Sequence, residues 1–208
     1  SATASGDYTV ITTSGGCPSL ASAATTVSVT PTPATPTIGA GGPTAFCSGG
    51  SVLLTSSSAT GNQWSLNGTP IGGATNQTLI VSASGDYTVV VTSGGCTSLA
   101  SAVTTVTANA IPTVTATNDG PICIGGTFNL GEIGGDAVSW AWSSSGGATI
   151  TANTDQSPIV TGAVDGEVFT VVITDANTCT NSANTAISVI QSPVLDAITD
   201  VVNCGPYA

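Results

Sequence analysis

The chain has 208 residues, 11 acidic groups and no Lys, Arg or His. With no side-chain cation to neutralise a phosphate or an anionic lipid head, direct nucleic-acid binding and electrostatic docking on a membrane surface are excluded. The imidazole base, the Schiff-base amine and the guanidinium clamp are excluded with them, which leaves a carboxylate pair as the remaining common catalytic apparatus. Disorder is countered by a hydrophobic content of 40%. Its Val and Ile alternate with Thr and Ser, as in strands with one wet face.

In chain order, residues 4–29 read ASGDYTVITTSGGCPSLASAATTVSV, and residues 83–108 read ASGDYTVVVTSGGCTSLASAVTTVTA. Twenty of these 26 positions are identical, at an offset of 79. A divergent third copy, DGEVFTVVITDANTCTNSANTAISV, occupies 165–189 with Phe169 in the place of Tyr8 and Tyr87. The front half of the unit recurs as well. CSGGSVLL (47–54) matches CIGGTFNL (123–130), and a Trp follows each Cys by 17 residues, Trp64 and Trp140. A unit of about 80 residues suits one small β-sandwich.

The expected organisation follows. Residues 1–30 are the closing strands of an Ig-like repeat, 31–38 a Pro/Thr linker, 39–110 and 111–190 complete repeats, and 191–208 the start of a further one. A pair of end strands does not fold alone. Residues 1–30 are therefore expected to belong to a longer array or to be completed by another chain.

Within the first complete repeat, 51–57 is expected as a strand with Val52 and Leu54 on one face, and 61–67 carries Trp64 and Leu66 inward. Asn67-Gly68 is a hairpin turn signal. Residues 78–81 form a further strand, 86–92 alternates Tyr87, Val89 and Val91 against Thr88, Val90 and Thr92, and 98–108 returns beside it. In the second repeat Val138, Trp140 and Trp142 share a face of 137–143, and Phe169, Val171 and Ile173 alternate. No window holds a sustained 3.6-residue apolar period. The fold class is all-β, in tandem immunoglobulin-like sandwiches. Tyr8, Tyr87 and Phe169 open the penultimate strand, the place of the tyrosine corner. With Trp64 and Trp140 they are expected in the core. Trp142 either caps that core or sits at an open edge.

Six widely spaced cysteines with no histidine and no Cys-x-x-Cys pair read as disulfides, and so place the chain outside the cytosol. The simplest pairing is Cys47–Cys96 and Cys123–Cys179, one staple per repeat, with Cys17 and Cys204 paired outside the segment. Geometry leaves Cys47–Cys179 open as the alternative, because the two cysteines of one repeat tend towards opposite poles while a disulfide needs Cα atoms about 4.4–6.8 Å apart. Most of the acids lie beside turn residues and are expected to solvate loops. No pair is marked as the two facing carboxylates of a glycosidase, so no catalytic residue and no resident cofactor is expected. Asp175 and Asn177 are the candidate calcium ligands, since an acidic loop with carbonyls suits Ca²⁺. Asn67-Gly-Thr69 and Asn76-Gln-Thr78 match the glycosylation sequon. No apolar run reaches membrane-spanning length.

The pattern FCSGGSVLLTSS…NQWSLNGTPIGGATNQT…SGDYTVVVTSGGCTS resembles the Ig-like repeats of large Bacteroidota surface proteins. VSWAWSSSGG and FTVVITDANTCTNSA are similar to the PKD-like repeats that accompany them. The resemblance covers essentially the whole chain. It implies export through the type IX system and a place on or outside a bacterial cell, in adhesion, gliding or matrix. Near-identity of two copies favours a fibre or stalk over one specialised site, with neighbouring repeats or copies of the same chain as partners. A glycan- or protein-binding adhesion module and a non-catalytic spacer of a large secreted enzyme are the competing expectations.

Overall fold

Hydroxyl and β-branched residues alternate along short runs that Gly, Asn and Pro interrupt, and the computed structural model folds these runs into strands. It describes residues 1–193; within them there is no helix. The expected opening of a further repeat, with Cys204, lies outside the described residues from 194 onward. The chain divides into two units, the first Ser1–Ala108 and the second beginning at Asn109.

Residues 1–30 hold β1 (Gly6–Tyr8), β2 (Thr13–Ser14), β3 (Cys17–Pro18) and β4 (Thr25–Val27). β1 pairs antiparallel with β4, and β2 with β3. The first sandwich follows with β5 (Ile38–Ala40), β6 (Ala45–Cys47), β7 (Val52–Ser56), β8 (Asn62–Leu66), β9 (Thr69–Pro70), β10 (Thr78–Val81), β11 (Gly85–Ser93), β12 (Cys96–Thr97) and β13 (Thr104–Asn109). One sheet runs β10-β7-β5 and the other β6-β13-β11-β8-β9, with β12 folded back on β11. That is the strand order of an immunoglobulin sandwich. Leu54, Trp64 and Val89 are fully buried between the sheets, with Val52, Val81, Tyr87 and Val106 around them. Asn67 (φ 49°) and Gly68 (φ 77°) make the β8–β9 turn, the left-handed pair that a two-residue hairpin requires.

Two expectations change here. The Pro/Thr stretch 31–38 is part of the sandwich: Pro36 is buried, Ile38 opens β5, and the Ser57 amide donates to the Thr37 carbonyl at 2.9 Å. The returning segment 98–108 is a regular strand only from Thr104. Before it, serine hydroxyls stand in for strand carbonyls. Val91 N–H donates to Ser98 Oγ at 3.0 Å and Val89 N–H to Ser101 Oγ at 3.1 Å. Each hydroxyl passes its own proton to the next residue's carbonyl.

The second sandwich holds β14 (Ala116–Asn118), β15 (Ile122–Cys123), β16 (Thr127–Glu132), β17 (Ala137–Ser144), β18 (Thr149–Thr151), β19 (Ile159–Thr161), β20 (Val168–Asp175), β21 (Thr180–Ala186) and β22 (Val189–Ile190). Its sheets run β14-β16-β19-β18 and β17-β20-β21, and β15 pairs parallel with β22. Phe169, Val171 and Ile173 of β20 are fully buried, as their alternation predicts. Phe128 meets Phe169 edge-to-face at 5.4 Å. Val138 departs from its expectation and is exposed. A register shift between Ala137 and Ser139 turns it out of the face that Trp140 and Trp142 share.

Candidate functional site

Cys47, Cys96, Cys123 and Cys179 lie at the poles of their sandwiches. Cys47 and Cys179 are disulfide-bonded; Cys17, Cys96 and Cys123 are free thiols. Neither intra-repeat staple, Cys47–Cys96 or Cys123–Cys179, forms, and strand direction is the reason. β13 pairs with β11 at Gly85–Tyr87, and the Thr107 amide donates to Thr44 just before β6, so Cys47 sits near the Gly85 end. Cys96 pairs with Ser93 at the other end of β11. Those ends are about 26 Å apart at ~3.3 Å per residue, several times the reach of a disulfide. The second sandwich repeats this. Cys123 pairs with Ile190, beyond the Val168 end of β20, whereas Cys179 adjoins Thr180 at the Thr174 end.

The aromatic expectations divide. Trp64 is fully buried opposite Val89, and its indole N–H donates to the Asn76 carbonyl at 2.9 Å. The equivalent place in the second sandwich belongs to Trp142, which lies opposite Val171 and donates to the Asp155 carbonyl at 3.1 Å. Trp140 is only partly buried and packs at the margin of that core. The matched 17-residue spacing from Cys to Trp misplaced the pin by two residues. Tyr87 is buried and its hydroxyl donates to the Ala83 carbonyl at 3.0 Å, closing a tyrosine corner. Tyr8 makes the same bond to Ala4 at 2.9 Å, yet it is 43% exposed and belongs to no core.

Three of the acids are buried: Glu132, Glu167 and Asp175. Glu167 ties two turns of the second sandwich together. Its Oε1 accepts from the Ser144 hydroxyl and from the Gly146 and Ala148 amides, both at 3.0 Å, and its Oε2 from the Val164 amide at 3.0 Å. Burial is the largest single influence on this carboxyl and pushes its pKa up; the four donors together outweigh it and hold the pKa below the ordinary value. Glu132 Oε2 accepts from the Trp140 indole at 3.1 Å, while Oε1 is buried without a partner. Both glutamates share strand parity with buried apolar residues, Phe128 and Leu130 for Glu132 and Phe169 and Val171 for Glu167. That parity was the available sequence signal.

Asp175 organises the β20–β21 turn. Its Oδ1 accepts from the Asn177 amide at 2.9 Å and the Cys179 amide at 2.7 Å. With Asn177, Asp136 and Pro112 it lines a shallow cavity of about 350 Å³ in the second unit. No cluster of three or more metal-ligating side chains occurs among the described residues. Asn67 and Asn76 of the two sequons are both exposed. Asn67 Oδ1 is engaged by the Asp86 amide at 2.9 Å.

No family model and no curated protein matches the sequence. Among solved structures, murine CEACAM1b is similar at 14% identity and a TM-score of 0.34, over 74% of this chain and 100% of that one. The human OSCAR ligand-binding domain is similar at 16% and 0.30, over 75% and 99%. Drosophila OTK extracellular domains 3–5 are similar at 14% and 0.29, over 70% and 62%. Strand order and pairing, rather than these distant likenesses, make the chain an immunoglobulin-like sandwich protein.

Proposed function

We propose that this chain is a structural or adhesive segment of an extracellular repeat protein, a fibre or stalk on or outside a bacterial cell. The resemblance to Bacteroidota surface repeats supports the location, and the disulfide chemistry supports an oxidising compartment. The observation that carries the reading is the placement of the cysteines. Each sandwich holds its cysteines at opposite poles, and the bonded ones are Cys47 of the first and Cys179 of the second. With Cys17, Cys96 and Cys123 free, we assign the bond Cys47–Cys179. Cysteines at the poles leave each sandwich to be held by its own core, as suits a fibre or stalk built of repeats.

The chain's partners on this reading are neighbouring repeats or copies of itself. Electron microscopy of the native material tests the proposal: filaments or stalks are expected. A globular particle with a reacting domain and these repeats as its tail would make the chain a spacer of a secreted enzyme instead.

A further inference from the structure

Nearly the same sequence occurs twice in the first unit, once covered and once bare. Val89 and Tyr87 are 0% and 3% exposed, and their counterparts Val10 and Tyr8 are 62% and 43% exposed. Local structure does not account for the difference. The Val89 N–H bond to Ser101 Oγ at 3.1 Å is matched by Val10 N–H to Ser22 Oγ at 3.1 Å. Thr105 donates to Asp86 at 2.7 Å and Thr26 to Asp7 at 2.6 Å. The bare copy is already shaped as the closing half of a sandwich. It lacks what lies on Tyr87–Val91: the β8 edge, paired from Leu66 to Asn62, and the apolar face of β7 and β10.

We propose that 4–29 is an acceptor surface for the opening half of another repeat of this class, a segment with the pattern of 38–82. Its chemistry is set by the covered copy. The occupant brings a strand to pair with the open edge beyond Tyr8, an inward Trp opposite Val10, and aliphatic residues against the apolar face. The chain's own segment of this pattern, 38–82, is committed to 83–108, so the occupant is a different segment of the same pattern. The proposal rests on the array reading for the nature of that occupant.

Amide hydrogen exchange tests it on two proteins. One is the chain itself; the other carries a second copy of 38–82, with its cysteine changed to Ser, in place of Ser1–Thr3 and directly before Ala4. In the chain itself, amides of 9–12 should exchange far faster than those of 88–91. In the extended protein they should slow by about 100-fold or more. Val10→Asp should leave the chain unchanged and abolish the gain in the extended protein. If 9–12 stays fast there while 88–91 remains protected, the surface does not accept that half and the proposal fails. It fails equally if the chain alone self-associates and protects 9–12, since the occupant is then a second copy. Filament microscopy is independent of either result, so loss of the array reading and loss of the acceptor surface are told apart.

Discussion

Residues 4–29 and 83–108 separate two contributions that are normally confounded. Both copies make the tyrosine bond, the serine bonds and the Asp–Thr bond. The covered copy alone is buried. Hydrogen bonds within the closing half therefore shape it without help from a core. Burial of Tyr87, Val89 and Val106 comes from the opening half. A stretch of nearly identical sequence can be core or surface, according to whether its other half is supplied.

The largest expected effect breaks this symmetry directly. Val89→Asp places an unpaired charge in a fully buried position and should cost more than about 4 kcal/mol, unfolding the first sandwich. Val10→Asp, the same change one repeat earlier, should stay within about 0.5 kcal/mol, because that side chain is already in water. Thermal unfolding followed by Trp64 fluorescence distinguishes them. Equal effects would mean that Val10 is buried in solution.

The third copy extends the comparison through its chemistry. Gly85 of the first sandwich corresponds to Glu167 of the second, two residues before Tyr87 and Phe169 respectively. An ideal Cβ on Gly85 would lie 2.4 Å from Leu66 Cδ1, so no side chain fits there without a shift. Phe169 has no hydroxyl to close a tyrosine corner, and the second sandwich anchors this corner with Glu167 instead. The folded pKa of Glu167 is lowered. Its stabilisation is therefore complete above the ordinary glutamate pKa and is lost as pH falls through the folded value. Acid should loosen residues 144–148 and 164–168 before the matching turns of the first sandwich. Glu167→Gln should cost about 1.5–3 kcal/mol at neutral pH and remove that acid sensitivity. Exchange rates at these turns across pH 3–7 measure both, and a variant with unchanged pH dependence would deny Glu167 this role.

Strands with clear alternation were legible in the sequence: Val52 and Leu54, Tyr87 to Val91, and Phe169 to Ile173 all take the expected face. The errors came where counting along the chain replaced pairing across it. A constant 17-residue step selected Trp140, but the second sandwich has two more residues between its Cys and its buried Trp, and the register shift at Ala137–Ser139 lies among them, so the role passes to Trp142. Cysteines recurring together suggested a staple within each repeat, although the strands between them put the two sulfurs at opposite poles. An acidic side chain by its type suggests a solvated loop, whereas the parity of Glu132 and Glu167 with buried apolar neighbours places them inside. Nothing within residues 4–29 could show that Tyr8 is bare, since that depends on a partner segment elsewhere.

A smaller effect tests the serine bonds. Ser101→Ala leaves the Val89 amide without an acceptor inside the sandwich and should cost about 1–3 kcal/mol. Ser22→Ala should cost close to nothing, because water reaches the exposed Val10 amide and replaces the hydroxyl. Urea titration of both variants reads the difference, and a large loss for Ser22→Ala would show that residues 1–30 are held by more than their own hydrogen bonds.

The smallest effect concerns the tyrosine corner. Tyr87 is buried, and burial raises its pKa, so its hydroxyl stays protonated and donates to Ala83 throughout the neutral range. Tyr87→Phe keeps the ring and its packing but leaves the Ala83 carbonyl short of a donor, at about 1 kcal/mol. Tyr8→Phe removes a bond of nearly equal length, 2.9 against 3.0 Å. At 43% exposure, water competes for the Ala4 carbonyl, and the loss should be a few tenths of a kcal/mol at most. The second sandwich sets the expected ceiling, for it carries Phe169 at this position and places the anchoring bonds on Glu167. Equilibrium denaturation of the two Phe variants decides the matter. If Tyr87→Phe proved as harmless as Tyr8→Phe, the corner would be a consequence of strand geometry and would not contribute to holding the sandwich closed.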